Sequence, residues 1–445
     1  MRKIMDSIKN IYNGPYKKLI KIGIVVIVVF LLLEIIPGIF GLYKKYTVSK
    51  SPIVDIEATN ETIYELGDTI LPKEFTVKAI HENGDKTSID SSEIEISRET
   101  LEYTGEITEI EITYDDFTCV AEVKCKREEV NSVECGKINK SDVRAVLYSN
   151  GELAFEGKGD ILQYHENEAP WVQLAQDDVP IRAVSFEEDV KPLSLDYYFE
   201  SFENLEYIEN IPTSVESISK MCLGCVSLEK GPDLSKCKKL LNMDNAFEEC
   251  HSLIEPAVLP TSLTSAMGCY KNCENLKDVG NIDKCNELIY THEMYFGCQS
   301  LLSATFPKNA MAATEMYANC INLEKVTELP DTLEAMSGIF SGDVLLKTVP
   351  NIPKNAKSIS HALKGCKKIE GTIQIDGIYH DYNGFLEEAC VGNPLDLKGS
   401  SPLLDQLANT SSSTYITVNG NKPDPEKTYF DYNEYMRSLE PDSES

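Results

Sequence analysis

From residue 199 to residue 366 the chain repeats one pattern that has two fixed points. The first is an aromatic-x-x-Cys-x-x-Leu step. It appears as Phe247, Cys250, Leu253; as Tyr270, Cys273, Leu276; as Tyr295, Cys298, Leu301; and as Tyr317, Cys320, Leu323. Variants keep the slots: Phe199, Phe202, Leu205 open the series, and Cys222, Cys225, Leu228 follow. Phe340, Asp343 and Leu346 (or Leu345) blur it, and Leu363, Cys366, Ile369 close it. Successive Cys slots fall 23, 25, 23, 25, 22, 23 and 23 residues apart. The second fixed point lies 13 residues before each slot, at Pro212, Cys237, Pro260, Cys285, Pro307, Pro330 and Pro353.

A period of roughly 20 to 29 residues marks a solenoid, whose units cannot bury their apolar faces alone. Stacking buries those faces against neighbours, so the core becomes a column. The segments after the second landmark (SVESISKM, SLTSAMGC, NAMAATEM) have apolar spacings of three and four, which predicts a short helix or turn. After each Leu, stretches such as EKVTELP and KTVPNIP predict a brief strand ended by proline, which cannot donate to a ladder.

This stretch resembles the BspA-type leucine-rich repeats of bacterial surface proteins, including the subgroup with a Met/Ala-aromatic-x-x-Cys-x-x-Leu consensus. The likeness extends over residues 145 to 420. Upstream, a strand, an Asn150-Gly151 hairpin turn, the strand GELAFEGKG, Ala169-Pro170-Trp171 and the strand VPIRAVSF are similar to the lead-in coil of such arrays. The resemblance implies an α/β solenoid of about seven to eight coils. It says little of function, because members of the family bind different things.

The net charge of −30 hides an asymmetry: residues 1–50 carry nine Lys/Arg and two acids, leaving 33 bases and 70 acids on the rest. A body this acidic is expected to repel nucleic acid. Ile22 to Tyr43 is apolar apart from Glu34, and its 22 residues would reach about 33 Å as a helix, enough to cross a hydrocarbon core. Arg2, Lys3, Lys9, Lys17, Lys18 and Lys21 precede it, so the positive-inside bias puts the N-terminus in the cytoplasm and the bulk outside. A cleaved signal peptide competes, with Ile22 to Leu33 as its apolar region; no A-x-A-like site follows, which favours the uncleaved anchor. An acid inside a span is by default a functional candidate; the reading favoured for Glu34 is that it is protonated, or paired with a sister helix in a loose dimer.

From Ile53 to Lys126 the period becomes two (EFTVKAI, EIEIS, EITEIEITY, CVAEVKC), with a hairpin turn at Glu82-Asn83-Gly84-Asp85. That predicts a small antiparallel sandwich. The placing of Tyr64, Gly67-Asp68, Phe75, Val77, Ala79, Gly84, Gly105, Ile112 and Tyr114 resembles a bacterial immunoglobulin-like domain, which implies a spacer.

Eleven of the 14 cysteines lie at or beyond residue 222, and nine of those eleven sit on a repeat landmark. Cysteine therefore reads as a small packing residue in a narrow column, expected mostly as buried free thiol. Cys222-Leu-Gly-Cys225 looks like a CxxC, but Cys222 occupies an aromatic slot. Bridges between adjacent coils are sterically feasible and stay open.

Catalytic signatures are missing. The six histidines are dispersed, His292-Glu293 does not continue as H-E-x-x-H, and there is no G-x-S-x-G, phosphate loop or dinucleotide fingerprint. Acid pairs such as Asp115-Asp116, Asp177-Asp178 and Glu187-Glu188 are expected by chance among 72 acids. No enzyme activity, cofactor or metal is expected. Calcium on the acidic faces has no EF-hand or repeat-nonapeptide pattern behind it.

The expected order is a cytoplasmic basic stub (1–19), a transmembrane helix (20–43), an Ig-like domain (51–127) and a lead-in cap (135–198). Leucine-rich repeats (199–370), a C-terminal cap (371–420) and an acidic tail (421–445) with Tyr429, Tyr432 and Tyr435 follow. The functional expectation is a membrane-anchored, adhesin-like scaffold outside the cell, held to the membrane by its N-terminal helix, that binds a protein or glycan. The alternative is an envelope component that couples outside contacts through its single span. The oligomeric state is left open.

Overall fold

The computed structural model describes residues 51–427 and residue 435, apart from 66, 102–106, 166–167 and 176–178. The basic stub, the expected span with Glu34, the Asp177-Asp178 pair and most of the acidic tail lie outside the described residues. Among the described residues, no helix is long and apolar enough to cross a membrane. The chain divides into two compact units, residues 51–125 and residues from 126 onward.

The first unit is built of alternating strands in two sheets. One orders β1 (Ile53–Asn60), β3 (Phe75–His81) and β4 (Lys86–Ser88). The other orders β2 (Ile63–Tyr64), β7 (Phe117–Cys125), β6 (Ile107–Tyr114) and β5 (Glu95–Ile96). β3 and β6 alternate buried and exposed residues, as half-buried strands must. Phe75, Val77, Ile110, Ile112, Ala121 and Val123 thereby meet in one core. The Glu82–Asp85 turn joins β3 to β4, with Gly84 at φ 80°.

The second unit begins earlier than the expected cap. Residues 128–134, left between the expected domains, contain β8 (Glu129–Glu134), which pairs antiparallel with β9 (Val143–Tyr148). β10 (Glu152–Gly157) returns on β9 and then pairs in parallel with β11 (Ala183–Phe186), which pairs with β12 (Tyr207–Ile208). Trp171, fully buried, packs edge-on to Phe155 at 4.9 Å and donates its indole N–H to the Tyr198 carbonyl at 2.8 Å. These rings close the start of the column.

Beyond this the solenoid is a run of single parallel bridges: Ser194, Ser217, Asn242, Ser265, Tyr290, Ala312, Ala335, Ser358 and Asp381 pair in succession. Each sits eight residues before its coil's slot. Among the described residues the ladder joins nine coils rather than the expected seven or eight, with its last rung at Asp381. Nor are the coils α/β: the segments after the Pro/Cys landmark take the turn of the two forms expected, and the short α1 (Leu404–Ala408) lies beyond them.

The reason lies in the backbone hydrogen bonds. Met243, Asn245, Phe247 and Glu249 donate their N–H groups to Ser265, Met267, Cys269 and Lys271 of the next coil, at 3.0, 2.7, 2.9 and 2.8 Å. Ala246, Glu248 and Cys250 donate instead three residues back, to Met243, Asn245 and Phe247. Asp244 donates to the Asn242 side chain. Every N–H from 243 to 250 is thus used, half of them between coils, and none is left for an i to i−4 ladder.

A second line of parallel contacts follows several of the Leu positions. It includes β13 (Ser303–Ala304) on β14 (Lys325–Val326), and ends in β15 (Gly371–Gln374), β16 (Leu395–Lys398) and β17 (Ile416–Val418). β16 was not expected from the sequence; its LDLK has only two inward positions.

Candidate functional site

The repeat residues singled out by the sequence line one column. Cys225, Cys250, Cys273, Cys298, Cys320 and Cys366 are all fully buried, as are Phe247, Tyr270, Tyr295, Tyr317 and Phe340. Leu228, Leu253, Leu276, Leu301 and Leu323 are equally buried. The five rings stack coil on coil, at centroid distances of 5.7, 5.5, 5.3 and 6.2 Å and within 15° of parallel. Their hydroxyls are satisfied within the fold: Tyr295 donates to the Val279 carbonyl at 2.9 Å, Tyr317 donates to that of Thr305, and Tyr270 accepts from the Ala257 N–H at 3.2 Å. Pro212, Pro260, Pro307, Pro330 and Pro353 each begin a turn, their carbonyls accepting from the residue three positions on.

All 14 cysteines are free thiols, and burial governs their chemistry. It pushes Cys237 and Cys285 up to about 11 and Cys135 and Cys390 up to about 12, so the reactive thiolate is suppressed. Cys222, Cys250, Cys269 and Cys273 are pushed up further, and burial is again the largest cause. Among the described residues no cluster of three His, Cys, Asp or Glu could hold a metal ion.

The inward residues fix which residues face out. Two residues per coil, five and one before the slot, hold positive φ: Asn245 and Glu249 at 56° and 61°, Gly268 and Asn272 at 60° and 61°, Gly338 and Gly342 at 61° and 85°. These are turn positions that favour Gly or Asn. The sequence carried that signal in Gly224, Asn272, Gly297, Asn319, Gly342 and Gly365, each immediately before a slot, but the aromatic and thiol landmarks masked it.

The outward surface beside the bridge ladder differs from coil to coil. Nine and eight residues before the slot stand Leu241, 48% exposed, then Tyr290, 50% exposed, and Met311, 40% exposed, with half-buried Thr264 and Ile289 among them. They are neighbours: Thr264 donates its N–H to the Leu241 carbonyl, Ile289 to that of Thr264 and Met311 to that of Ile289. The row continues as the Glu334–Lys357 ion pair. Sequence alone had left these positions unnamed, because their register against the column is set by the turns. Such a surface can offer shape, apolar area and charge to a partner; it gathers no nucleophile and base.

A family described as "BspA type Leucine rich repeat region" matches in six copies, over residues 177–288 and 243–370. A leucine-rich repeat protein from Bacteroides ovatus is 17% identical with a TM-score of 0.39, covering 65% of this chain and 76% of its own. One from Eubacterium ventriosum is 14% identical with a TM-score of 0.26, covering 58% of this chain and 95% of its own. A leucine-rich cell surface protein from Faecalibacterium prausnitzii is 14% identical with a TM-score of 0.23, covering 58% and 93%. No curated protein sequence matches the chain. The match over residues 177–370, with the ladder of turns and the stacked inward landmarks, makes this part of the chain similar to the leucine-rich repeat regions of the BspA type.

Proposed function

We propose that the chain is a membrane-anchored binding scaffold on the outside of a cell, presenting its repeat array to a protein or glycan without catalysis. The carrying observation is the contrast between a column that is nearly constant along the array and an outward row that is not. Apolar Ile289, Tyr290 and Met311 lie on adjacent coils of it, with Leu241 beyond Thr264, exposed or half-buried, and exposed apolar surface of this kind is a feature of interaction sites. In this reading residues 20–43 supply the anchor, and residues 51–127 act as an immunoglobulin-like spacer. The buried, protonated thiols fit a structural part, leaving recognition to the exposed side chains.

The test is to probe the full chain, tagged, against arrays of glycans and extracellular-matrix proteins. Saturable binding that drops in the double variant Leu241→Glu, Met311→Glu, with an unchanged melting temperature, supports the reading. Absence of binding on every array overturns it.

A further inference from the structure

One coil of the array opens its outward surface into a groove. Ser337, Gly338 and Ser341 of the coil that carries Asp343 form its floor, and the open groove holds about 300 Å³. Glu315 and Asn319 of the preceding coil make one wall, and His361 and Lys364 of the following coil make the other. Phe296, two coils back, is reached across the small Ala318. Lys271, from the coil before Phe296, holds its ammonium 5.3 Å from the ring centroid.

The floor is kept low by its glycines. A Cβ at Gly338 would come 2.9 Å from Glu315 Cγ, and one at Gly342 2.4 Å from Asn319 Oδ1. Both glycines also have positive φ, a conformation that glycine adopts freely. The walls carry polar groups open to a ligand: the Glu315 carboxylate, the Asn319 amide and the Ser341 hydroxyl make no side-chain hydrogen bond among the described residues, and Glu315 interacts electrostatically with Lys271. The basic wall is already engaged, with Lys364 2.9 Å and His361 3.5 Å from the Glu387 carboxylate. An anionic ligand would therefore meet a compensated cation beside the Glu315 carboxylate, on a strongly acidic chain.

What matches this set is a neutral, polyhydroxylated ring. One face of a pyranose is a patch of C–H groups suited to an aromatic side chain, and its vicinal hydroxyls fit the planar paired groups of a carboxylate and an amide. We propose that the groove binds one neutral pyranose residue of a glycan, with its ring against Phe296 and its hydroxyls on Glu315, Asn319 and Ser341. This rests on the reading of the chain as a binding scaffold and assigns a ligand class and a place to it.

The experiment is saturation-transfer difference NMR on the full-length chain with the methyl glycosides of glucose, galactose, mannose and N-acetylglucosamine. Transfer to at least one is expected, weakened about tenfold by Phe296→Ala and abolished by Ser341→Phe, which fills the floor. Position 341 is equivalent to Phe296 in its coil, so the outward site tolerates a ring, and an unchanged melting temperature verifies the fold. No transfer to any of the glycosides, or equal transfer in both variants and the parent, overturns the assignment. If Ser341→Phe still binds its array partner while no glycoside shows transfer, the groove assignment fails and the scaffold reading stands; loss of all array binding by the parent is the failure of the scaffold reading.

Discussion

The Sγ of Cys273 lies 3.0 Å from the carbonyl oxygen of Phe247, one coil back, and the thiol donates to it. Cys225, Cys298, Cys320 and Cys366 make the same bond at 3.1 Å to Phe199, Tyr270, Tyr295 and Phe340, and Cys250 makes it at 3.2 Å to Cys222. The cysteines at the second landmark repeat the pattern more loosely, Cys237 to Pro212 at 3.8 Å and Cys285 to Pro260 at 3.7 Å. The slot therefore asks for a small, nearly apolar side chain that also carries a donor aimed at the previous coil. Alanine and valine lack the donor.

Cys273→Val, which removes the S–H and adds about one methyl group to the column, is expected to cost about 1 kcal/mol or more. Cys273→Asp, which places a carboxyl in the same dry position, is expected to cost about 3 kcal/mol or more. Urea denaturation of the two variants checks both; equal stability of Cys273→Val and the parent would mean that the thiol only fills space.

Asp343 occupies a thiol slot and is fully buried. Its Oδ1 accepts the Cys320 N–H at 2.8 Å, while Oδ2 has no partner. Burial raises this carboxyl well above its ordinary value, outweighing the Cys320 hydrogen bond. The folded state thus holds the proton more tightly than the unfolded state. Its contribution is fully present below the ordinary carboxylate pKa of about 3.9 and is lost as pH rises toward the folded value, at up to about 1.4 kcal/mol per pH unit. Asp343→Cys is expected to raise the melting temperature at pH 7 and to flatten its slope between pH 4 and pH 7, roughly the window in which the unfolded carboxyl ionises first. Identical slopes in parent and variant would refute the account.

Tyr295 stands in the middle of the ring stack, with neighbours at 5.5 and 5.3 Å. Tyr295→Phe leaves the stack and removes the bond to Val279, for an expected loss of about 1 kcal/mol. Tyr295→Ala opens a cavity under two coils and is expected to cost about 3 to 5 kcal/mol. Calorimetry on both variants separates the hydroxyl from the ring.

Thiol reactivity gives a global check. Cys119 is half-buried, while the other 13 cysteines are buried. Ellman's reagent should therefore react quickly with at most that thiol in the native chain, and with all of them in denaturant. Fast reaction of several native thiols would contradict an inward column.

Much of the array was legible in residues such as Tyr270, Cys273 and Leu276, because a column interior tolerates few side chains and the same choice returns with every coil. For SLTSAMGC the pattern left helix and turn open, and the structure takes the turn for a physical reason. Apolar spacing of three and four reports which residues face inward, and a staircase of turns produces that spacing as readily as a helix does. The groove beside Ser341 was not legible at all: its walls come from Phe296 to Lys364, and only the coil register brings them together.

The sequence by itself determined the period, the inward identities and the acidic character of the body, since these follow from composition and local recurrence. Tertiary structure alone decided that the backbone N–H groups are spent between coils rather than within helices, and that the thiols act as donors to the coil before. Those outcomes depend on hydrogen bonds between residues more than 20 positions apart, and a local pattern carries no record of such partners.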